Sequence, residues 1–347
     1  MTSHIPIPPE RIGMELDEFL CLSFPLLNKG FLRRQVRERK VLVDGNPAVP
    51  SQKLRMDQIL IVDFDDTEDL PEPPVAPTAK IPILHEDELV LAVDKPPGLA
   101  VEPERWARSN ASVAGALLEL ALARSDAAPE DPVQPSGTLE FRPRIVHRLD
   151  KDTSGVLLVA KSVEAERRLR AAFDGGEVEK TYLALVEGEH PLADGDSEVV
   201  DLPIGPDERK SGRMRVDPSG GKPSQTRIRV EQRFRGFTLL ACQPLTGRTH
   251  QIRVHLREIG FPLAVDPAYG RRNALFLSEI KRGYRRKLGH VETPLIDRLT
   301  LHAKAIEFPD PATAPPGGSN GKRIRVEAPL PKDLERALKQ LGKVRPR

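Results

Sequence analysis

The chain has almost no cysteine: Cys21 and Cys242 are the only two in 347 residues. Two distant thiols build neither a disulfide framework nor a Cys-rich zinc site, so both are expected to be ordinary small residues, buried or half-buried. Long apolar runs are missing too. Hydrophobic residues make up 39%, but no uninterrupted stretch is long enough to cross a bilayer. The first eleven residues are polar and Pro-containing and lack the apolar segment of a secretory signal. A soluble, cytoplasmic protein without a membrane partner is therefore expected. There is no internal repeat, no Gly-rich phosphate loop and no cluster with metal-ligand spacing, so no metal site is expected. A strong excess of one charge is absent as well: 53 Lys and Arg face 51 Asp and Glu, a net +2.

What is present is unevenly placed. Residues 29–55 hold eight basic side chains (Lys29, Arg33, Arg34, Arg37, Arg39, Lys40, Lys53 and Arg55) against Glu38 and Asp44. Residues 271–287 are again basic, while acids gather over 63–72. Concentrated basic stretches attract polyanions even when the whole chain is near neutral, although a solvated helix face looks the same in sequence.

The length allows two domains, or one large domain with an appendage. Residues 11–64 form a first unit. Leu16, Phe19 and Leu20 have helical spacing, and 31–39 reads as a second, basic helix. Strands are expected at 41–43 and 59–62, with Asp44-Gly45 as a hairpin signal. Residues 65–80 are acidic and Pro-rich and read as a linker. The remainder, 81–345, mixes strands with fewer helices. Strands are expected near 89–93, 156–159, 180–186, 226–230, 238–241, 301–306 and 323–326. Helices are expected at 111–123, at 163–173 with Ser162 as N-cap, and at 334–341. Residues 125–143 read as a loop. The fold class is α+β: a largely antiparallel mixed sheet flanked by helices and loops, preceded by a small α/β module.

The densest polar cluster is RIVHRLDKDTSG, residues 144–155, which runs straight into the apolar strand Val156-Leu157-Leu158-Val159. A polar loop fed by a rigid strand is a common way to build a site. Asp150 sits in sequence among Arg144, His147, Arg148 and Lys151. Nearby cations favour an ionised carboxylate, which makes Asp150 a candidate nucleophile or base. His147 reads as a satisfied core histidine, and Asp152 as a residue that holds the loop. His250 and His255 are five apart and do not share a zinc-binding helix face; they read as structural or turned toward a bound polyanion.

The run HRLDKDTSG followed by a strand resembles the signature of the RluA-type pseudouridine synthases. Further pieces follow in order: Lys95-Pro96-Pro97-Gly98-Leu99, Lys180-Thr181-Tyr182-Leu183-Ala184, the stretch from Leu245 through Thr246-Gly247-Arg248-Thr249-His250-Gln251-Ile252-Arg253 to Leu256, then Pro262 to Gly270, and Leu301-His302-Ala303. Two features differ from the pattern: Glu102-Pro103 stands where a His-Pro is usual, and 271–290 looks inserted. Residues 11–64 are similar to the RNA-binding module shared with ribosomal protein S-four, through the basic helix and Val41-Leu42-Val43-Asp44-Gly45-Asn46.

The resemblance implies that Asp150 is the catalytic residue, that Tyr182 lines the uridine pocket, and that an Arg of the third motif pairs with Asp150; of Arg248 and Arg253, Arg248 is the expected partner. Arg148, with Arg33, Arg34, Arg37 and Lys40 of the first module, is expected to bind RNA. The implied activity is isomerisation of uridine to pseudouridine, most of all in large-subunit ribosomal RNA; separately from the resemblance, a monomer is expected. The reaction involves no redox step and no phosphate transfer, so no cofactor is implied. The carboxylate has three routes open: attack on C1′, addition to C6, or removal of the 2′ proton. Competing readings are a synthase for transfer RNA, a non-catalytic RNA-binding protein of ribosome assembly, and a metal-dependent hydrolase built on His147, Asp150 and Asp152.

Overall fold

The computed structural model describes residues 2–7, 9–24, 27, 29–63, 80–102, 111–124, 141–285, 289–313 and 322–346. The linker expected at 65–80 (except Lys80), most of the 125–143 loop, Pro103 and residues 286–288 of the basic stretch lie outside them. Two compact units are present. One comprises Met1–Lys80 with Glu102–Arg144, and the other Ile81–Val101 with Ile145–Arg347.

In the first unit, α1 (Leu16–Ser23) and α2 (Lys29–Arg37) pack on a four-stranded sheet. Its strands are β1 (Thr2–Pro6), β2 (Val41–Val43), β3 (Asn46–Pro47) and β4 (Ile59–Asp63), in the order β1-β4-β2-β3. Leu16, Phe19 and Leu20 are fully buried, as their spacing requires, and share a core with Leu32, Val36, Val41 and Leu60. The β2–β3 hairpin turns on Asp44 (φ 51°) and Gly45 (φ 75°), the paired positive values that a two-residue hairpin needs. The Asp44 carboxylate also accepts the Ile59 N–H at 2.9 Å, which fastens the turn to β4. Strand β1 was not foreseen, because its Pro and polar residues have no strand-like alternation. It pairs antiparallel with β4, and its Ile5 packs against the core of the unit. Helix α3 (Val113–Arg124) also belongs to this unit and packs Leu118 and Ala121 with Leu22 and Phe141. A two-residue strand, β7 (Arg144–Ile145), lies at the boundary.

The second unit is built on a path of strands β10-β13-β14-β9-β15-β8-β6-β5. These are β5 (Ile83–Glu86), β6 (Val90–Lys95), β8 (Ser154–Ala160), β9 (Glu179–Glu187), β10 (Ser197–Asp201), β13 (Gln225–Phe234), β14 (Phe237–Pro244) and β15 (Leu301–Pro309). Neighbours are antiparallel except β8 and β15, which run parallel. The second half of β15 pairs instead with β16 (Arg323–Glu327). A small hairpin, β11 (Ile204–Pro206) with β12 (Met214–Val216), stands apart from the main sheet. Helices α4 (Val163–Asp174), α5 (Gln251–Glu258), α6 (Leu277–Ile280) and α7 (Lys332–Val344) complete the unit. The Ser162 hydroxyl accepts the Ala165 N–H at 3.0 Å, the expected N-cap of α4. Central β8 is buried at every position, which explains why its sequence is a continuous apolar run rather than an alternating one. Among the described residues no helix is long and apolar enough to cross a membrane.

Candidate active site

The 150–154 loop is fixed to the second unit from several sides. At its end, Gly155 has φ 113°, and a Cβ there would lie 2.1 Å from the Ala303 carbonyl oxygen. Only glycine allows β15 so close. Ser154 faces His302 Nδ1 at 3.0 Å and accepts from Arg298 Nη1 at 3.2 Å. Arg298 in turn makes two bonds, 2.6 and 2.7 Å, to Asp333 in the first turn of α7. At the other end of the loop, the Lys151 carbonyl accepts the Gly98 N–H at 3.0 Å and Lys95 Nζ at 2.7 Å. Lys95 is fully buried and also donates to the Pro96 and Leu99 carbonyls, at 2.9 and 2.7 Å. Three acceptors match the three N–H bonds of an ammonium. Burial nevertheless pushes its pKa down to about 7, against the pull of Asp152 and Asp150.

Asp150 emerges from this frame with its side chain 27% exposed. Its Oδ2 accepts Arg253 Nη1 at 2.9 Å; its Oδ1 accepts no bond among the described residues. Arg253 is 8% exposed and lies in the first turn of α5. Its remaining donors grip Asp266 side-on, Nε to Oδ2 at 2.8 Å and Nη2 to Oδ1 at 2.9 Å. Asp266 also accepts the N–H groups of Ala268 and Tyr269, at 2.8 and 3.0 Å. Burial opposes the Arg253 charge, but the Asp266 bonds and both carboxylate charges outweigh it and raise the pKa still further. One guanidinium thus ties the Asp150 carboxylate to a buried anion that is itself fully hydrogen-bonded.

This corrects the expected partner. Arg248 is exposed in the loop before α5, where its Nε donates to the Pro223 carbonyl at 3.2 Å. Its backbone N–H caps Gln251 Oε1 at 3.0 Å, so its contribution is to the start of the helix. Arg253 is buried on the helix itself and reaches Asp150. The cations adjacent in sequence are not partners of Asp150 either. Arg144 bonds Glu18 within the first unit. Arg148 is exposed. His147 accepts the Leu158 N–H at 2.9 Å, and burial pushes its pKa down to about 3; it is the structural histidine expected from the sequence.

Tyr182 lies on β9, opposite Cys242 and Ala303, and its ring packs on the core that holds Ile252 and Leu301. Burial first, and then the Asp150 charge, raises its phenol pKa, so the neutral phenol is the resident form. His250, at φ 56°, places Nε2 3.9 Å from Asp150 Oδ2 and Nδ1 2.8 Å from the Tyr269 hydroxyl. Burial lowers its pKa, which keeps the ring neutral despite the nearby carboxylate. His255 is structural: Nε2 meets the Leu202 carbonyl and Nδ1 the Thr226 hydroxyl, both at 2.9 Å. No group of three or more His, Cys, Asp or Glu side chains suited to a metal ion occurs among the described residues.

Of the basic residues in the first unit, Arg33 binds Asp17 at 2.6 Å and Arg34 lies over the Phe31 ring at 5.4 Å. Arg37 is exposed, and Lys40 Nζ lies 3.8 Å from Glu38.

Comparison with known proteins identifies the family. A sequence model of the RNA pseudouridylate synthase family matches residues 89–258. The ribosomal large subunit pseudouridine synthase D of Nitrosomonas europaea is 34% identical over 342 residues, 98% of this chain and 88% of that protein. The ribosomal large subunit pseudouridine synthase C of Escherichia coli K12 is 34% identical over 354 residues, 98% of this chain and 97% of that protein. Among solved structures, human RNA pseudouridylate synthase domain containing 4 matches with a TM-score of 0.52 at 23% identity, over 75% of this chain and 92% of that one, a likeness of fold. The chain therefore belongs to the RNA pseudouridylate synthase family and is of the RluA type.

Proposed function

We propose that the second unit isomerises a uridine of large-subunit ribosomal RNA to pseudouridine, with Asp150 as the residue that acts on the nucleoside. The observation that carries this is a partly exposed carboxylate with one oxygen held by Arg253 and the other, Oδ1, left for substrate. In the reaction the N1–C1′ bond breaks, the base turns, and a C5–C1′ bond forms. The proton lost from C5 is balanced by the one gained at N1, so no oxidant or group donor is needed. The Arg253 bond holds one oxygen of the carboxylate in place and leaves the other oriented toward the nucleoside. Tyr182, neutral at physiological pH, supplies a stacking face for the base and a hydroxyl donor rather than a base. Arg248 is left out of the catalytic set. A uridine inside folded RNA must leave its stack to reach Asp150, at a cost of roughly a few kcal/mol. Arg148 and the basic residues of the 11–64 module, Arg33, Arg34, Arg37 and Lys40, offset that cost through phosphate contacts. The 81–345 region, without the 102–144 stretch that groups with the first unit, is assigned the catalysis, 65–80 the linker, and the working form a cytoplasmic monomer.

The test is a map of pseudouridine in ribosomal RNA from cells with the gene, without it, and with Asp150→Ala in its place. A large-subunit position that loses its modification in the second and third strains is the expected result. Identical maps in all three would remove the proposal.

A further inference from the structure

One cation beside the site has no part in the arrangement above. Arg213 ends the loop between β11 and β12, and its guanidinium carbon lies 5.0 Å from the centre of the Tyr269 ring. Arg253 lies 4.9 Å from the same centre. The Tyr269 hydroxyl accepts the Met214 N–H at 2.7 Å and contacts His250 Nδ1 at 2.8 Å. The residue after Arg213 is thus tied to the ring that borders Arg253, which links the hairpin end to the site. No carboxylate lies within ion-pair distance of Arg213 among the described residues, whereas Arg253 has two. The Arg213 Nε is buried with no hydrogen-bond partner. A half-buried guanidinium that has no counter-ion and leaves a donor unmatched costs stability. Nε is closed to solvent, but the two terminal nitrogens are not, and they form no hydrogen bond among the described residues, so they are the donors an anion arriving from outside would meet. The outer part of the same loop adds exposed Arg209 and Lys210.

We propose that Arg213 is a substrate-binding residue whose partner is a backbone phosphodiester of the RNA next to the extruded uridine, with the Tyr269 ring holding the guanidinium in place. The inference rests on the functional reading above and adds a residue to it. Guanidinium and phosphate are matched in shape and charge, and the contact fixes the register of the strand without reading its sequence. With the phosphate anchored beside Tyr269, and Tyr269 tied to His250, the attached ribose is kept near Asp150 Oδ1.

The test uses the full-length protein and large-subunit ribosomal RNA purified from a strain lacking the gene. Binding is measured by filter retention and turnover by pseudouridine formation, each across a range of salt. R213Q should raise KM and Kd about tenfold at 0.1 M salt, leave kcat within about twofold, and reduce the slope of log Kd against log salt by about 0.7, one single-strand phosphate contact. R213K should keep the wild-type slope. A lowered kcat with KM, Kd and salt slope unchanged would make Arg213 a structural prop and overturn the proposal. So would wild-type behaviour of R213Q in every assay. Should R213Q lose its circular dichroism signature, R213A, which buries no amide, answers the same question. Turnover by the wild type decides the functional reading. The difference between wild type and variant in the binding arm decides this one, even if that turnover is absent.

Discussion

Replacing Arg253 and Arg248, each by lysine, separates the two arginines that the sequence offers as partners of Asp150. Arg253 makes three charge-assisted bonds of 2.8 to 2.9 Å, two to Asp266 and one to Asp150. A lysine keeps the charge but cannot present two parallel donors to one carboxylate and a third to another. Asp266, 1% exposed, would retain its two backbone N–H donors and lose the side-on pair. Removing one partner of a buried pair costs about 3–5 kcal/mol, and the lysine recovers part of that, so a loss of about 2–3 kcal/mol is expected. At roughly 2–4 °C per kcal/mol for a unit of this size, Tm should fall by about 4–12 °C. The Asp150 bond, a hydrogen bond to a charged group worth about 1.5–3 kcal/mol, corresponds to a kcat about 10- to 150-fold lower. R248K alters an exposed side chain bonded to one carbonyl and should change stability by less than about 0.5 kcal/mol, with kcat intact. Denaturation curves and single-turnover rates on ribosomal RNA, measured on both variants, provide the check. A catalytic loss in R248K, with R253K behaving as wild type, would refute the assignment.

Other outcomes follow from the same frame. Asp150→Ala should abolish product while RNA affinity, measured by filter retention, stays within about threefold, since Asp150 contributes no cation to phosphate binding. Because the Tyr182 phenol is held neutral, Y182F should keep kcat within about tenfold while Y182A loses the stacking face and far more rate; a basic limb in the wild-type rate profile that vanishes in Y182F would contradict this. Lys95 has a folded pKa of about 7, below its ordinary value. The folded state therefore binds fewer protons than the unfolded chain between pH 7 and 10.5, and its stability rises with pH across that window. In denaturant titrations the advantage of wild type over K95M should accordingly grow from pH 7 to 10, and an advantage that shrinks would show that the three carbonyls, not burial, set the charge. Arg298→Met leaves Asp333 without its two bonds and Ser154 without a donor, so it should lower kcat several-fold with KM unchanged, by loosening the loop that carries Asp150.

How much of this was legible beforehand depends on the distance over which each feature is decided. Elements set by local pattern came through: β8 from its apolar run, α4 from the Ser162 cap, the Asp44-Gly45 hairpin from its turn residues. Asp150 stood out because a polar loop meets a buried strand there. The environment of Asp150 was not legible, because its neighbours in sequence are not its neighbours in space. The cation that reaches it lies 103 residues further on, and the anion that holds that cation another 13. Periodicity gives no help at α5, where Gln251, Ile252, Arg253, Val254, His255 and Leu256 are all buried, so no polar face marks which arginine points inward. A physical criterion would still have separated the two candidates. Arg248 follows Gly247 and precedes the left-handed His250 at the helix start, a position from which a long side chain faces water. Arg253, in the first turn of α5, lies between apolar residues, and a guanidinium placed there must find carboxylates or the helix would not pack. The nearest acid with a matching constraint is Asp266, in the 262–270 segment, already recognised in the sequence as a motif but given no role. The part of the site that sequence reasoning left blank is therefore the part governed by burial of charge: a residue whose partner is compulsory identifies that partner more reliably than one whose charge is merely nearby.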